Sequence, residues 1–260
     1  MKNNQIHNSK NYYWICGKHS VNSAILNKRR IIVKMFIDKK KPSSFINEFQ
    51  QKILKNRKKI NIELVSTKKL EKLFHISSHQ GIAAMIEPYK ILNINEFVSC
   101  NYLKEKNVSV LLSHINDPQN FGAIIRSAVA FDITDILINK KNSCKETQAA
   151  SKVSSGGIEK VKIYNFGNTS NSINLLKKNG WFIVGLDGES KFTFCNINSN
   201  KNTFNKVLII MGSESKGLGE LIKKKCDILI KIPINKLNID SLNVASAASI
   251  AFYEINNLLR

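Results

Sequence analysis

The sequence predicts an α/β fold in which a small domain precedes a larger domain built on a parallel sheet. Two observations predict it. Short apolar runs alternate with amphipathic segments along nearly the whole chain, as in strands connected by helices. With 260 residues, 43% of them hydrophobic, the chain is also long and apolar enough to bury the cores of two modest domains.

The first part of the chain, residues 12–88, is predicted to form a small α/β domain. Ser43 or Ser44 and later Ser66 stand at helix starts as N-caps, and Pro88 stops the last strand. In chain order we expect a helix at 19–26, a strand at 31–37, a helix at 43–55, a strand at 62–65, a short helix from Ser66 to about Phe74 and a strand at 82–86. Residues 1–11 are predicted to be a flexible tail, and residues 89–106 a linker with a connecting helix.

The second part, residues 107–260, continues the alternation without a tandem repeat or a low-complexity block. The predicted strands are 108–112, 136–138, 161–163, 182–184, 207–211 and 228–230, and a helix at 244–258 closes the chain. Strands that alternate with helices predict a parallel sheet.

The net charge of +21 favours an anionic partner, and nucleic acid is the default candidate. The chain is also rich in Lys, Asn and Ile, as expected from biased codon usage, so the charge only corroborates RNA binding. Three basic runs, at 28–30, 39–41 and 55–59, fit contacts to RNA phosphates and fit solvated surface equally well.

The cysteine pattern indicates a reducing compartment, and we expect a cytoplasmic protein. Five scattered cysteines contain no C-x-x-C pair, which argues against disulfides and zinc, and the histidines form no ligand cluster. No apolar run reaches the about 20 residues that cross a bilayer. The polar N-terminus lacks the apolar segment of a secretory signal.

Two segments in the last third of the chain predict a small-molecule crevice. The strand at 207–211 ends in a Gly/Ser-rich turn that begins at Gly212. A later strand end, Ile232-Pro233, is followed by a polar loop and a helix capped by Ser241 or Asn243. Glycine lets the backbone approach a ligand closely, and loops at the carboxyl ends of neighbouring strands enclose ligands.

A third segment follows the apolar run at 108–112 and predicts a strand, a turn and a helix. Asp117-Pro118 is a helix-start signal. Asn120 and Arg126 are six residues apart, which places Arg126 in or near the second turn of the helix and close to the loop.

In their order, these segments resemble the three motifs of the SpoU family of tRNA and rRNA ribose 2′-O-methyltransferases. The resemblance covers roughly residues 106–260. The matching residues are Asn120, Gly122 and Arg126 in the first motif, Gly212, Glu214 and Gly217 in the second, and Ile232, Pro233, Ser241, Leu242, Asn243 and Val244 in the third. The segments at 15–21 and 79–84 resemble the ends of the substrate-binding domain found in one branch, the bacterial 23S rRNA guanosine-2′-O-methyltransferases.

The resemblance implies architecture that periodicity does not show. The first domain would be a ribosomal-protein L30e-like RNA-binding domain. The second would be a SPOUT-type domain whose C-terminal segment forms a deep trefoil knot. The protein would be a homodimer with its active site near the subunit interface.

The resemblance also implies a cofactor and a substrate. The methyl donor would be S-adenosylmethionine, without a metal, and the substrate a ribose 2′-hydroxyl in RNA, most closely a guanosine of 23S rRNA. Cofactor contacts are implied at Met211, Gly212, Gly217, Ile232, Leu242, Asn243 and Val244. Without the motif context, Gly212 would be an ordinary turn glycine, and Ile232 and Leu242 ordinary core residues.

The catalytic residues that the resemblance implies are Arg126, Asn120, Glu214, Ser241 and Asn243. A guanidinium stays protonated and is a poor base, so we expect Arg126 to bind a phosphate and stabilise the developing alkoxide. Asn120, Ser241 and Asn243 would hold the loops and the acceptor ribose, although helix capping also explains Ser241 and Asn243. Glu214 would orient a loop or Arg126, or lie on the surface.

Three other kinds of protein were weighed. A Rossmann methyltransferase needs a Gly-rich turn after its first strand. The corresponding segment here, residues 116–122, reads Asn-Asp-Pro-Gln-Asn-Phe-Gly and has a single glycine. A P-loop hydrolase needs Lys where Leu218 stands. A non-catalytic RNA-binding assembly factor remains an alternative, as does a tRNA methyltransferase of the same family.

Overall fold

The computed structural model of the protein describes residues 12–74, 79–139, 144, 146–197, 205–213, 217–235 and 237–259. These residues divide into two compact units. Unit 1 takes the described residues up to Tyr89 together with Glu146–Glu159, and unit 2 takes Lys90–Lys145 and the chain from Lys160 onward. The predicted tail at 1–11 and the candidate residue Glu214 lie outside the described residues.

The strands and helices are numbered in chain order. The strands are β1 (Tyr13–Cys16), β2 (Ile32–Asp38), β3 (Asn61–Val65), β4 (Ile82–Ile86), β5 (Leu92–Asn93), β6 (Asn107–Leu112), β7 (Asp135–Ile138), β8 (Lys162–Asn165), β9 (Trp181–Leu186), β10 (Lys206–Met211) and β11 (Ile228–Ile230). The helices are α1 (Lys18–Leu26), α2 (Ser43–Lys55), α3 (Thr67–Phe74), α4 (Ile94–Asn101), α5 (Pro118–Ala130), α6 (Gln148–Val153), α7 (Thr169–Lys178), α8 (Glu220–Lys223) and α9 (Val244–Leu259). None of the helices in the described part of the chain combines the length and the apolar character that crossing a bilayer requires.

Unit 1 contains a four-stranded mixed sheet with the strand order β1-β4-β2-β3. β2 and β3 run parallel, whereas β4 runs antiparallel to β1 and β2. Apolar side chains of β2 and α2, including Met35, Ile37 and Phe49, are fully buried between sheet and helices. The elements predicted between residues 19 and 86 are confirmed, with ends that differ by at most one residue.

Two helix starts in unit 1 differ in how they are capped. Ser66 caps α3 as predicted, because its Oγ accepts a hydrogen bond from the Lys69 amide at 3.3 Å. The prediction that Ser43 or Ser44 caps α2 is wrong. The N-cap is Pro42, and no side chain caps this helix start. Because the ring of Pro42 fixes its φ at −64°, the chain enters the helix directly and both serines fall in its first turn.

A buried charge cluster joins the two stretches of unit 1. Arg30 Nε lies 3.0 Å from both carboxylate oxygens of Glu159, and Arg30 Nη2 pairs with Glu146. The Arg30 guanidinium stacks on the Tyr89 ring, 3.5 Å from its centroid. For Arg30, both interpretations of the run at 28–30 are wrong, since its side chain is neither solvated nor open to RNA. A buried charge needs partners, and these partners are 116 and 129 residues away.

Unit 2 contains a seven-stranded sheet with the order β11-β9-β10-β6-β7-β8-β5, and the strands pair in parallel throughout. The predicted parallel sheet is therefore confirmed. The connecting helix predicted within 89–106 is α4, which begins with a capping box between Asn93 and Glu96. The sequence pattern missed β5, because two residues are too few to show a period.

The topology of this sheet places its ligand-binding edge. From β6 the chain adds β7 and β8 on one side, and β10, β9 and β11 lie on the other. The direction of winding therefore changes between β6 and β10, and crevices form at the carboxyl ends of strands at such switch points. α5 and α9 pack against each other, and Ser127 Oγ and Ser249 Oγ lie 2.8 Å apart.

Candidate active site

A cavity of about 390 Å³ opens in unit 2 beyond the carboxyl ends of β9, β10 and β11. Its volume lies within the range of small-molecule pockets, about 300–1,000 Å³. The lining includes seven residues that the sequence analysis proposed for the site: Met211, Gly212, Gly217, Ile232, Ser241, Leu242 and Val244. The second and third motif segments therefore meet in space and share one cavity.

The wall at the end of β10 is a tight backbone turn that requires glycine at position 212. A Cβ atom on Gly212 would lie 2.1 Å from the Gly217 carbonyl oxygen and 2.6 Å from the Leu218 nitrogen. The turn is closed by a hydrogen bond from the Gly217 amide to the Ser213 carbonyl at 2.9 Å. Gly217 itself has φ = 58°, a conformation that glycine adopts without strain. A side chain at 212 would displace the Gly217 backbone, which lines the cavity.

The opposite wall is the chain between β11 and α9. Ile232 and Leu242 line it, and Ser241 lies in the wall next to Leu242. Asn243 caps α9, because its Oδ1 accepts a hydrogen bond from the Ala245 amide at 2.9 Å. Of the two residues proposed as the cap, it is therefore Asn243 that carries out this role.

The first motif segment is joined to this wall by a side-chain contact. Asp117 caps α5, accepting hydrogen bonds from the amides of Gln119 and Asn120 at 3.2 and 3.0 Å. Asn243 Nδ2 then donates to Asn120 Oδ1 at 2.9 Å. The carboxamide of Asn243 thus caps one helix and bridges to the start of another.

Arg126 lies in the third turn of α5, because the helix begins at Pro118 rather than at Asn120. The residue is exposed, and it forms no ion pair with any carboxylate in the described ranges. Helical side chains lean toward the N-terminus over positions i−3 and i−4, here Ala123 and Gly122. Because both neighbours are small, the guanidinium has room above the first turns of the helix. Arg126, Asn120 and Asn243 do not line the cavity itself.

One wall of the cavity, at the end of β9 and in the loop after it, contains none of the three sequence motifs. Leu186, Asp187, Gly188 and Glu189 line it. Asp187 is anchored by an ion pair with Lys223 at 2.9 Å, and the hydrogen bond to Asp187 raises the pKa of Lys223. The Asp-Gly turn could have indicated this loop, but the strand was predicted to end at 184, two residues too early.

The chemistry near the first motif segment does not include a cysteine nucleophile. Cys144 is buried and its amide donates to the Ile115 carbonyl at 2.9 Å. Burial, reinforced by the charge of Asp117, raises the pKa of the Cys144 thiol to about 11, so the thiol stays protonated near neutral pH. The described residues contain no group of three or more His, Cys, Asp or Glu side chains placed to hold a metal ion.

Sequence comparisons identify relatives of the whole chain. A family described as the SpoU rRNA Methylase family matches residues 107–253, and a domain described as RNA 2′-O ribose methyltransferase substrate binding matches residues 14–92. A protein of Staphylococcus saprophyticus is 34% identical over 242 residues, covering 93% of this chain and 94% of the relative. A Staphylococcus aureus protein is 35% identical over 244 residues, with the same coverage. Both are provisionally named TrmH-family tRNA/rRNA methyltransferases.

Solved structures share the fold. An AdoMet-bound rRNA methyltransferase from Sinorhizobium meliloti superposes with a TM-score of 0.78 at 19% identity, covering 96% of this chain and 88% of that one. The SpoU methyltransferase AviRb from Streptomyces viridochromogenes, in complex with AdoMet, gives 0.76 at 17% identity, covering 95% and 89%. With the family match over more than half of the sequence and relatives above 30% identity along nearly all of it, this chain belongs to the SpoU rRNA methylase family.

Proposed function

We propose that this protein transfers a methyl group from S-adenosylmethionine to a ribose 2′-hydroxyl in structured RNA. The observation that carries the proposal is the shared cavity of the second and third motif segments, joined to the first through the contact between Asn243 and Asn120. The cavity lies beyond the carboxyl ends of β9, β10 and β11, and the carboxyl ends of strands are where ligands bind in open α/β sheets.

The residues around the cavity fit the proposed cofactor. The volume of about 390 Å³ suits a nucleoside-sized ligand. The turn at Gly212 offers bare backbone, and Ile232 and Leu242 offer backbone groups together with apolar side chains, which suits an adenosyl group. When bound, S-adenosylmethionine supplies an electrophilic methyl group on a positively charged sulfur. In this proposal the lining residues Met211, Gly212, Gly217, Ile232, Leu242 and Val244 hold it. Asn243, which does not line the cavity, supports the cofactor site only by holding the start of α9.

Arg126 is assigned the main role toward the RNA. A ribose hydroxyl has a pKa far above 7, so negative charge that develops on its oxygen needs stabilisation. Arg126 is exposed and pairs with no described carboxylate, so its charge is available to a phosphate or to the developing alkoxide. A guanidinium rarely gives up its proton, which makes electrostatic stabilisation a better role for Arg126 than that of a base.

The remaining candidate residues have positioning roles in the proposal. The contact between Asn120 and Asn243 fixes the start of α5 against the start of α9, and so fixes the helix that carries Arg126. Ser241, in the cavity wall, contacts the acceptor ribose. Glu214 orients the turn after β10 or the guanidinium of Arg126.

We further propose that the substrate is a guanosine ribose of 23S rRNA, as in the branch of the family that carries an additional N-terminal domain. In this proposal residues 12–88 form an L30e-like RNA-binding domain, 89–106 connect it, and 107–260 form the knotted methyltransferase domain. The active form is a cytoplasmic homodimer. The domain match at 14–92, described as substrate binding, supports an RNA-binding role for the N-terminal part. A tRNA target is the second candidate, because the curated relatives are named for both RNA classes.

Two measurements test the function. Titration calorimetry with S-adenosylmethionine should show binding to the wild-type protein, and Gly212→Ala should weaken this binding about tenfold to hundredfold. Mapping of 2′-O-methyl groups in rRNA and tRNA from cells with and without this protein should reveal one site that depends on it. Absence of cofactor binding would leave a non-catalytic RNA-binding protein as the better description, and loss of a methyl group from tRNA alone would select the second candidate.

A further inference from the structure

Four loops of unit 1 lie along one edge of its sheet. The end of β1 and the end of β2 flank the start of β4, since Cys16 pairs with Ala83 and Ile37 with Ile82. The end of β3 lies beside the end of β2, where Asp38 pairs with Val65. Because α1 follows β1, α2 follows β2 and α3 follows β3, all three helices begin at this edge.

The edge carries a dense positive charge. Six lysines stand in or next to these loops: Lys18, Lys39, Lys40, Lys41, Lys68 and Lys69. Lys18 and Lys69 pair with Glu48 and Glu63. The other four form no ion pair with a carboxylate of the described residues. We call these six lysines, with Ser43 and Ser44, the lysine edge.

One buried carboxylate organises the lysine edge without neutralising it at the surface. Asp38 is 5% exposed and accepts hydrogen bonds from the Lys40 amide at 3.0 Å and from Thr67 Oγ1 at 2.6 Å. These contacts tie the loop after β2 to the loop after β3. The lysine side chains of both loops are therefore presented from a fixed backbone.

The start of α2 adds uncompensated hydrogen-bond donors. No side chain caps this 13-residue helix, and the amides and hydroxyls of Ser43 and Ser44 form no hydrogen bond with the described residues. The positive end of a helix with open amides attracts anions. Here only Pro42 separates the helix start from three consecutive lysines, Lys39, Lys40 and Lys41.

A second, independent observation comes from His79, three residues before β4. His79 is 4% exposed, and its Nδ1 accepts a hydrogen bond from the Gly81 amide at 3.0 Å. In the neutral ring Nε2 must then carry the proton, yet this buried donor has no partner among the residues that the structure describes. Gly81 accepts from the Asp38 amide at 2.9 Å, which places His79 within the same group of loops. An unpaired buried donor is costly, and it marks these loops as a place where the contacts among the described residues leave a polar group unsatisfied.

We propose that the lysine edge is a docking surface for the sugar–phosphate backbone of structured RNA, with one phosphate seated on Ser43 and Ser44 at the start of α2. This inference rests on the proposed function only in taking RNA as the substrate. Lysines contact phosphates as point charges and do not read bases, so the surface holds the RNA and leaves the choice of nucleotide to the methyltransferase domain.

The first test is a triple variant in which Lys39, Lys40 and Lys41 are each replaced by glutamine. A matched control replaces Lys28, Lys55 and Lys59, which are exposed at the opposite edge of the same sheet and carry the same total charge. Binding of a fluorescent large-subunit rRNA transcript is measured between about 50 and 200 mM salt. The slope of the logarithm of the binding constant against the logarithm of salt concentration should become shallower by about one unit per lost phosphate contact. This change, about three units in all, should occur in the first variant only. Equal losses in both variants would show that the charge acts through the net field, and would overturn the proposal.

The second test separates RNA contact from folding. Ser43→Asp with Ser44→Asp places carboxylates at a helix start, which stabilises the helix but repels a phosphate there. The melting temperature should hold or rise, while RNA affinity should fall by about tenfold or more at low salt. The double variant Ser43→Ala with Ser44→Ala removes only the hydroxyls, so its RNA affinity should fall less than that of the aspartate variant. Wild-type affinity in the aspartate variant would exclude a phosphate seat at α2.

Failure of this proposal can be distinguished from failure of the proposed function. Calorimetry with S-adenosylmethionine depends on unit 2 alone, and both lysine variants should bind the cofactor as the wild type does. If the wild type methylates RNA and the K39Q/K40Q/K41Q variant keeps the wild-type affinity and salt dependence, only the lysine edge is wrong. If the wild type neither binds the cofactor nor methylates RNA, the proposed function fails, and the salt dependence still decides whether RNA docks here.

Discussion

Asn243 Nδ2 donates a hydrogen bond to Asn120 Oδ1 at 2.9 Å, and this contact joins the start of α9 to the start of α5. The two residues are 123 positions apart in the chain. Asn243 Oδ1 meanwhile caps α9 through the Ala245 amide. One carboxamide therefore holds both helix starts in register, which no residue with a single polar group can do.

A double-mutant cycle should measure this contact. Asn120→Ala removes the bridge, Asn243→Ser keeps a helix cap but is too short to reach Asn120, and Asn243→Ala removes both. We expect Asn243→Ala to cost about 1 kcal/mol more than Asn243→Ser, the usual value of an N-cap. The coupling energy between positions 120 and 243 should be about 0.5–1.5 kcal/mol by urea denaturation. A coupling energy of zero would mean that the bridge contributes nothing to holding the helices.

Position 212 should tolerate only glycine. In Gly212→Ala the Cβ meets the Gly217 carbonyl at 2.1 Å, and backbone cannot rotate away as a side chain can. Overpacking costs about 1–3 kcal/mol, which corresponds to roughly tenfold to hundredfold weaker cofactor binding in calorimetry. Gly219→Ala is the matched control, because a Cβ there meets nothing within 4 Å and its φ is −64°. Equal effects at both positions would rule out the steric explanation.

Arg126 should matter for methyl transfer and not for cofactor binding. We expect Arg126→Ala to lower kcat by about 10²–10³, as removal of one group that stabilises developing charge does. Arg126→Lys should recover part of the rate if charge alone matters. Cofactor affinity, measured by calorimetry, should match the wild type in both, since Arg126 does not line the cavity. Full activity in Arg126→Ala would remove this residue from the mechanism.

Asp38 should make unit 1 sensitive to acid. Burial alone would raise its pKa, but hydrogen bonds from Thr67 and the Lys40 amide, with the nearby charge of Lys40, hold the pKa below its usual value. A carboxyl group whose pKa is lowered by folding stabilises the folded state at any pH above its unfolded-state pKa of about 3.9. This stabilisation is lost as the pH falls below that value and through the folded-state pKa. The difference in unfolding free energy between wild type and Asp38→Asn should therefore be largest near pH 7 and shrink below about pH 4. A constant difference across this range would contradict the argument.

The Arg30 cluster should be more costly to break than to replace. Arg30→Met leaves the carboxylates of Glu146 and Glu159 buried without their cation, which should destabilise the protein by about 3–5 kcal/mol. Adding Glu146→Gln and Glu159→Gln should recover much of this loss, since no unpaired charge then remains. Lys28→Met, on the exposed surface nearby, should change the unfolding free energy by only about 0.5 kcal/mol. Thermal unfolding of the four proteins decides between these outcomes.

Most of the fold could be predicted because the signal is local. Buried strands such as β6 and β10 are largely apolar runs, and the loops that follow them contain the turn-forming residues Gly, Pro and Asp. That the second and third motif segments meet also follows from sequence, because carboxyl ends of parallel strands share one edge.

Other features could not be predicted because they depend on partners distant in sequence. The burial of Arg30 is decided by two glutamates more than a hundred residues away. The failure of Ser43 to cap α2 has a local cause instead: the neighbouring Pro42, with its fixed φ, takes the N-cap position and moves the helix start by one residue. The cavity wall at Asp187 belongs to a loop with no motif, and only the sheet order brings it beside Gly212.

Because Glu146–Glu159 belong to unit 1, the backbone passes from one unit to the other three times, after Tyr89, before Glu146 and after Glu159. A chimera that exchanged only residues 12–89 with a relative would graft a guanidinium without its counter-ions. Engineers who wish to redirect this enzyme to another RNA should therefore transplant two stretches of sequence together, and should expect a protein truncated after Tyr89 to aggregate rather than fold.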